Sequence, residues 1–514
     1  MSATSKAALP AAGERAAPSG VSATARGGWW GFLGAAINAL FGYLLVALVT
    51  RALGAQGSGA IFTGVAVFTI LGNTCKLGAD TGLVRFVSRD VATGGGRQVS
   101  ALLRTAVLPG AVASTAAAAV LFLWPPTAIA LLPQLPPADA ITLVRLFAVF
   151  LPLATVTLIL LGATQGFGTV LPFVGIEQIG KPVLRVLIAV PVALLVPGVL
   201  SLAAAWLVPT LTGVVAAWLA LRRCRADTPC ARLPEAAPAQ REFWTFAAPR
   251  AISSVFDISA VWVGVILLSS LGTSEDAGIY TAVGRVIIAA TLLQLAVRLA
   301  FAPAISRLIA MDELDQAHQL HRISTRWIVL FSCPLLVFLA CFPATVLSLF
   351  GPEFTQGSNA LVVLCVASAV NIGVGNAQTV MLMAGRSWWH LLVTGAAFAV
   401  QLTVGVLTVP PLGILGAALS WGAAIVVENL SAAALVRRHP GFTTIDRAYF
   451  AALGAGLCPT AALVLPVRLL TGDTAVGLTL GSILAICVFG ISLWNFRATL
   501  GMGELLSALR KRTA

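Results

Sequence analysis

An all-α polytopic membrane fold of about fourteen transmembrane helices is predicted by three observations on these 514 residues. The composition is 58% hydrophobic and 10% charged, whereas a soluble domain carries roughly 25% charged residues. Apolar runs of about 20 residues, enough to cross roughly 30 Å of hydrocarbon, recur along the chain between short polar breaks. The cations gather in alternate breaks, as the positive-inside rule requires of a multi-pass chain.

The expected spans are 28–49, 59–82, 102–124, 143–163, 170–196, 199–221, 246–270, 278–302, 327–349, 359–384, 388–409, 413–436, 448–467 and 475–496. Residues 1–27 are Ala, Ser, Gly and Pro with three cations; they read as a disordered cytoplasmic tail, because they cannot bury enough apolar surface to fold. One side of the membrane collects Arg85, Arg89, Arg97 and Arg104, the cluster Arg222 to Arg241, then Arg307, Arg322, Arg326, Arg437 and Arg438. The other side has little beyond Arg51 and Arg468, and its segment LGTSEDA from Leu271 is acidic. Both termini are therefore expected in the cytoplasm, with a cytoplasmic linker at 222–245 and a basic tail at 497–514. The net charge of +13 is scattered between apolar runs, which argues for topology and against nucleic acid.

The chain repeats itself at a spacing of about 218 residues. Leu53-Gly54 and Ile61-Phe62-Thr63 match Leu271-Gly272 and Ile279-Tyr280-Thr281, and Val87-Ser88-Arg89 matches Ile305-Ser306-Arg307. GVLSLAAAW from Gly198 matches GILGAALSW from Gly413 after a small deletion. Spans one to six thus pair with seven to twelve in one orientation, giving an N-lobe at 28–221 and a C-lobe at 246–436, with the substrate path between them. Two further helices, at 437–496, fall outside the repeat.

RALGAQGSGAIF from Arg51, LGADTGLVRFVSR from Leu77, ATQGFG from Ala163, LFGPEFTQGSNALVVL from Leu349 and PPLGILGAALSW from Pro410 are similar to recurrent phrases of one family. With them the chain resembles the multidrug/oligosaccharidyl-lipid/polysaccharide (MOP) exporter superfamily, and within it the polysaccharide transporter branch of Wzx-type oligosaccharide flippases. The resemblance implies two six-helix lobes in a V around a central cavity. It also implies movement of undecaprenyl-diphosphate-linked sugars from the cytoplasmic to the outer leaflet of the inner membrane by alternating access, for lipopolysaccharide or exopolysaccharide synthesis. The partners implied are the polyprenyl-diphosphate-linked glycan, membrane lipids, and the polymerase and export machinery of the same pathway.

An ionised side chain at mid-bilayer costs about 2.5 to 3.5 kcal/mol on insertion scales, so deep charges mark function or pairing. Glu177, Lys181 and Arg185 follow one another at i, i+4 and share a helix face in the fifth span. Arg285 lies about seven residues into the eighth span, roughly 10 Å below the outer face. Arg285, Lys181, Arg185, Lys76 and Arg298 are the candidate ligands of a substrate diphosphate, because Arg presents a bidentate fork and keeps its charge when desolvated. Asp257, Glu177, Asp80 and Glu428 are the candidates for ion coupling or charge pairing, with Asp257 and Arg285 also readable as a pair joining helices seven and eight. No cofactor or metal is expected; coupling to protons or sodium would fall to those acids.

The rival readings are a drug or cation antiporter of the same superfamily and, further off, a membrane glycosyltransferase or polymerase. An antiporter cavity for organic cations should be dominated by carboxylates, whereas here five deep cations face four deep acids. A glycosyltransferase needs a substantial outer loop with acidic or metal-binding groups, and the longest, about 125–142, holds Asp139 alone among prolines. No phosphate-binding Gly-rich loop with Lys and Ser/Thr is present, so no ATPase is built in.

Overall fold

The computed structural model describes residues 19–94, 99–226, 240–295, 297, 305, 308–309, 312–383, 386–439 and 441–496. The described residues contain helices and no strand, as expected where lipid leaves backbone groups no partner but their own helix. The main elements are α1 (Ser19–Cys75), α2 (Ala79–Gly94), α3 (Val99–Leu123), α4 (Pro137–Gly166), α5 (Leu171–Leu195), α6 (Val199–Ala226) and α7 (Gln240–Leu271). They continue with α8 (Ser274–Ala290), α9 (Leu314–Cys341), α10 (Ser358–Val374), α11 (Ser387–Leu412), α12 (Ile414–Arg438), α13 (Arg447–Thr471) and α14 (Ala475–Phe496).

Among the described residues, eleven helices are long and apolar enough to cross a membrane, where fourteen spans were expected. The difference lies at three places. The run Leu33–Val91 contains the first two expected spans, folded back on each other at Gly54, whose φ of 67° is left-handed backbone that glycine adopts without strain. At 17 residues α8 falls just short of a full span, and the part of α14 whose side chains are described is the apolar stretch Ala475–Leu484. The second expected span, 59–82, is also interrupted: Leu77 (φ 53°) and Gly78 (φ 69°) break the helix before α2 begins.

Helix α7 begins by Gln240, and its first turns pack on α2 of the N-lobe through Phe86 and Phe243, 5.5 Å apart, and the exposed pair Arg89–Glu242 at 2.7 Å. A Cβ at Gly78 would stand 2.3 Å from the Ala247 carbonyl, so this approach needs glycine. The tails 1–18 and 497–514, linker residues 227–239 and Arg298 lie outside the described residues.

At the opposite end the lobes meet through the repeat itself. A Cβ at Gly59 would stand 1.6 Å from the Ser274 carbonyl oxygen, and one at Gly278 would stand 2.3 Å from the Ala55 carbonyl. The contact is reciprocal, each glycine facing the other's helix: a Cβ at Gly59 would also crowd the Gly278 amide nitrogen, and one at Gly278 the Gly59 amide nitrogen, within one residue of the repeat positions Thr273 and Ala277 that match Ala55 and Gly59. Small residues four apart on each helix let the two backbones touch, the usual way helices associate in lipid. Gln134 locks the neighbouring turn, donating to the Gly272 carbonyl at 3.1 Å and accepting from the Ser274 amide at 2.7 Å. Arg51 joins this end to the Leu349 phrase, its Nε donating to the Leu349 carbonyl at 3.0 Å.

Helices α9 and α13 are tied by Asp446, which Arg326 and, at 4.0 Å, Arg322 both reach. The Asp446 carboxylate also caps α13 by accepting from the Tyr449 amide at 2.7 Å. Burial raises this carboxyl, but the Arg326 hydrogen bond, the Tyr449 amide and the two guanidinium charges outweigh it and hold it below the usual aspartate range. A carboxyl held low when folded contributes stability above its unfolded value near 3.8 and loses it as pH falls through the folded one. Asp446→Asn keeps a capping oxygen and loses the charge that pairs with Arg326 and Arg322, so it should lower stability at pH 7 by up to about 1 kcal/mol. In thermal unfolding of the solubilised protein, its gap from the parent should shrink below about pH 4.

Candidate functional site

Between the lobes lies a cavity of about 240 Å³. Its N-lobe walls come from both legs of α1 (Asn38, Phe41, Thr69, Asn73), from α4, α5 and α6; the C-lobe supplies Trp262 of α7 and Arg285 of α8. Phe68, Phe147 and Trp206, with ring centroids 5.6 to 5.9 Å apart, back the N-lobe side with a rigid aromatic cluster.

Three of the five expected phosphate ligands converge here. Lys181 is 4% exposed and its Nζ lies 2.6 Å from Glu177 Oε2. Arg185 stacks on Trp206, 3.8 Å from guanidinium carbon to ring centroid, and its Nε donates to the Trp206 carbonyl at 3.1 Å. Arg285 crosses from the other lobe, 5.5 Å from the Trp262 ring and beside Gly42, close enough to Arg185 for the two charges to repel. Three cations and one acid leave a formal charge of +2 in a cavity walled largely by apolar and aromatic groups.

Local structure sets this geometry. Residues Val174–Gly180 form a turn of π-helix inside α5, a wider coil that carries Glu177 and ends at Lys181; such bulges recur at functional sites. Lys181 reaches the cavity over Gly213 of α6, where an added Cβ would lie 2.5 Å from its Cε. Gly213→Val should therefore displace the ammonium and lower transport at least tenfold without loss of membrane protein. A transport assay paired with an immunoblot checks this, and wild-type transport would mean that Lys181 can act from elsewhere.

The other expected residues that the structure describes lie apart from this cavity. Lys76 pairs with Asp80 at 2.8 Å across the break between α1 and α2. Asp257 on α7 has an exposed side chain and interacts electrostatically with Glu428 of α12. Glu428 lines a second cavity, of about 320 Å³, inside the C-lobe. Gly213, the π-turn and the tryptophan platforms were not singled out from the sequence; an intramembrane glycine opposite a buried lysine was the available signal for the first. His318 is stacked on Phe442 with ring centroids 5.0 Å apart and accepts from the Thr443 amide, and no metal-ligating cluster occurs among the described residues.

A family model described as "Polysaccharide biosynthesis protein" matches residues 24–309, more than half of the chain. The chain belongs to the polysaccharide biosynthesis protein family. No curated protein matches it. Its fold is similar to that of the lipid II flippase MurJ in an inward closed conformation, with a TM-score of 0.73 and 12% identity, covering 91% of this chain and 98% of MurJ. The MATE multidrug transporter DinF-BH matches with a TM-score of 0.62 and 16% identity over 84% of this chain and 99% of that one. A MOP superfamily transporter from Pyrococcus furiosus, titled for the reverse polarity of its binding pocket, matches with a TM-score of 0.57 and 16% identity over 81% and 94%. This member of the polysaccharide biosynthesis protein family thus shares the fold of the MurJ and MATE transporters.

Proposed function

We propose that the chain flips an undecaprenyl-diphosphate-linked oligosaccharide from the cytoplasmic to the outer leaflet of the inner membrane, by alternating access of its two lobes. The observation that carries this reading is the formal +2 of Lys181, Arg185, Arg285 and Glu177 in the inter-lobe cavity. A sugar-bearing diphosphate diester brings two negative charges, which would balance that excess and relieve the repulsion between Arg185 and Arg285. The family description and the likeness to a lipid II flippase support the same substrate class. A cavity for organic cations would need the opposite sign.

In this reading both termini are cytoplasmic and Arg285 takes the phosphates from the C-lobe while Lys181 and Arg185 take them from the N-lobe, so that binding draws the lobes together. Outward movement of two negative charges down an inside-negative potential releases about 2.3 kcal/mol per charge per 100 mV if both cross the full field. The test is reconstitution: proteoliposomes holding the chain should move a fluorescent undecaprenyl-diphosphate sugar between leaflets, faster under an inside-negative potential. A strain lacking the protein should accumulate the lipid-linked intermediate. No movement, together with export of a cationic dye, would establish the antiporter reading instead.

A further inference from the structure

We propose that the second cavity, in the C-lobe, is a glycan subsite that takes neutral or amino sugars and rejects acidic ones. This rests on the flippase reading above and adds where the sugar sits and which sugars are accepted.

The cavity of about 320 Å³ lies between the stretch 291–295 that follows α8, the end of α10 with residues 375–379, and α12. Its polar lining is made of carboxamides and hydroxyls around one carboxylate: Thr291, Gln294, Asn371, Asn376, Gln378 and Glu428. A carboxamide offers donor and acceptor side by side, and a sugar hydroxyl is both at once, so this lining matches a carbohydrate group for group. Gln294 and Asn371 already hold each other in a reciprocal pair, at 3.1 and 3.2 Å, which fixes both side chains at the cavity wall. Asn376 is 4% exposed and its Nδ2 has no hydrogen-bond partner. A buried N–H without an acceptor needs explaining, and a ligand oxygen would satisfy it. A cation would not, since it repels an N–H donor and demands converging oxygens in a far smaller space. The volume falls in the range of small-molecule pockets, about 300 to 1,000 Å³.

Position links this cavity to the phosphate site. A narrow space of about 30 Å³, lined by Trp262, Arg285, Ile288 and Trp421, shares Arg285 and Trp262 with the inter-lobe cavity and Ile288 with the amide cavity. From Arg285 to Thr291 the helix advances six residues, about 9 Å, the reach of the first sugars beyond a diphosphate held at Arg285. The tryptophans on either side of the passage suit the apolar faces of sugar rings. Glu428 is the acid of this lining; Gln378 donates to it, and Asp257 lies close enough for the two carboxyls to repel, so the site resists a further negative charge. Among the described residues that line this cavity none is a cation, so a uronic acid would bring its carboxylate to this acid with no lining cation to receive it.

The experiment measures binding of three probes to the detergent-purified full chain by native mass spectrometry: undecaprenyl diphosphate, its glucosyl derivative and its glucuronosyl derivative. We expect the glucosyl lipid to bind roughly 5- to 10-fold tighter than the bare diphosphate, and the glucuronosyl lipid at least 5-fold weaker than the glucosyl one. Asn376→Leu should erase the glucose increment, and the isosteric Glu428→Gln should narrow the gap between glucose and glucuronate. Equal binding of all three probes, unaltered by either variant, would overturn the subsite while leaving the flippase reading intact. Failure of the bare diphosphate to bind, in parent and Arg285→Ala alike, would sink the flippase reading and the subsite with it. A sodium-dependent thermal stabilisation removed by Glu428→Gln, with no glycan effect, would make the cavity a cation site and refute the proposal.

Discussion

Arg285→Ala is expected to abolish transport almost completely while Arg285→Lys retains a fraction, with both variants inserted in the membrane at parental levels. Arg285 is the single cation that the C-lobe presents to the inter-lobe cavity among its lining residues, so the phosphate clamp cannot be completed across the lobes without it. Loss of one charge-assisted hydrogen bond costs about 1.5 to 3 kcal/mol, or roughly 10- to 150-fold, and the alanine variant loses a bidentate pair. Lysine restores the charge and loses the fork, which predicts an intermediate rate.

Stability measurements separate this role from a packing role. The neighbouring charge that Arg285 feels is Arg185, a repulsion, and its nearest ring is Trp262. Removing a repelled cation should leave the melting temperature of the substrate-free protein unchanged or slightly raised, the usual sign of a residue kept for function at a cost in stability. A residue that held α7 to α8 through an ion pair would do the opposite, since breaking a buried pair typically costs about 3 to 5 kcal/mol. A marked drop in melting temperature and in membrane abundance for Arg285→Ala, with transport per molecule intact, would reject the clamp.

The part of this design that was legible in the sequence is the part governed by periodicity. Span length follows from hydropathy, lobe pairing from the 218-residue repeat, and the shared face of Glu177, Lys181 and Arg185 from their i, i+4 spacing. What escaped depends on contacts between distant segments. Lys76 and Lys181 look alike as deep lysines and each pairs with a carboxylate four residues away, yet Lys76 does so at a helix break whereas Lys181 is carried over Gly213 into the cavity. Spacing does not reveal the break, because Leu77 takes up a left-handed φ that only its surroundings enforce. The amide-lined cavity drew on Asn and Gln residues scattered over three segments, and on their own these are indistinguishable from side chains that pack helices. The span count departs for a related reason: hydropathy measures apolar length, whereas the turn at Gly54 is a backbone event that joins two spans into one helical run.

Gly59→Leu should eliminate transport, and Gly278→Leu should do so to the same degree. Helices in lipid have no hydrophobic force to bring them together, so the closure at this end of the lobes depends on backbone contact permitted by Ala55, Gly59, Ser274 and Gly278. A Cβ at Gly59 would lie 1.6 Å from the Ser274 carbonyl, and reaching even a 3.0 Å contact requires the two helices to part by at least about 1.4 Å. Gln134 would then lose its two bonds to the α8 turn, and the Arg51 tie to Leu349 would be strained beside it. Leucine adds further bulk, so the lobes should be held open at this end and the cycle stopped in one orientation. A thiol-reactive probe added from the outside should then label a cysteine placed at Asn38 on the cavity wall far faster than in the parent. Because the two glycines face each other across the same contact, the two single variants should act alike, and the double variant should add little to either, since a separation already forced by one leucine leaves room for the second. Slow labelling with parental transport in both singles would show that the lobes do not close by this contact during the cycle.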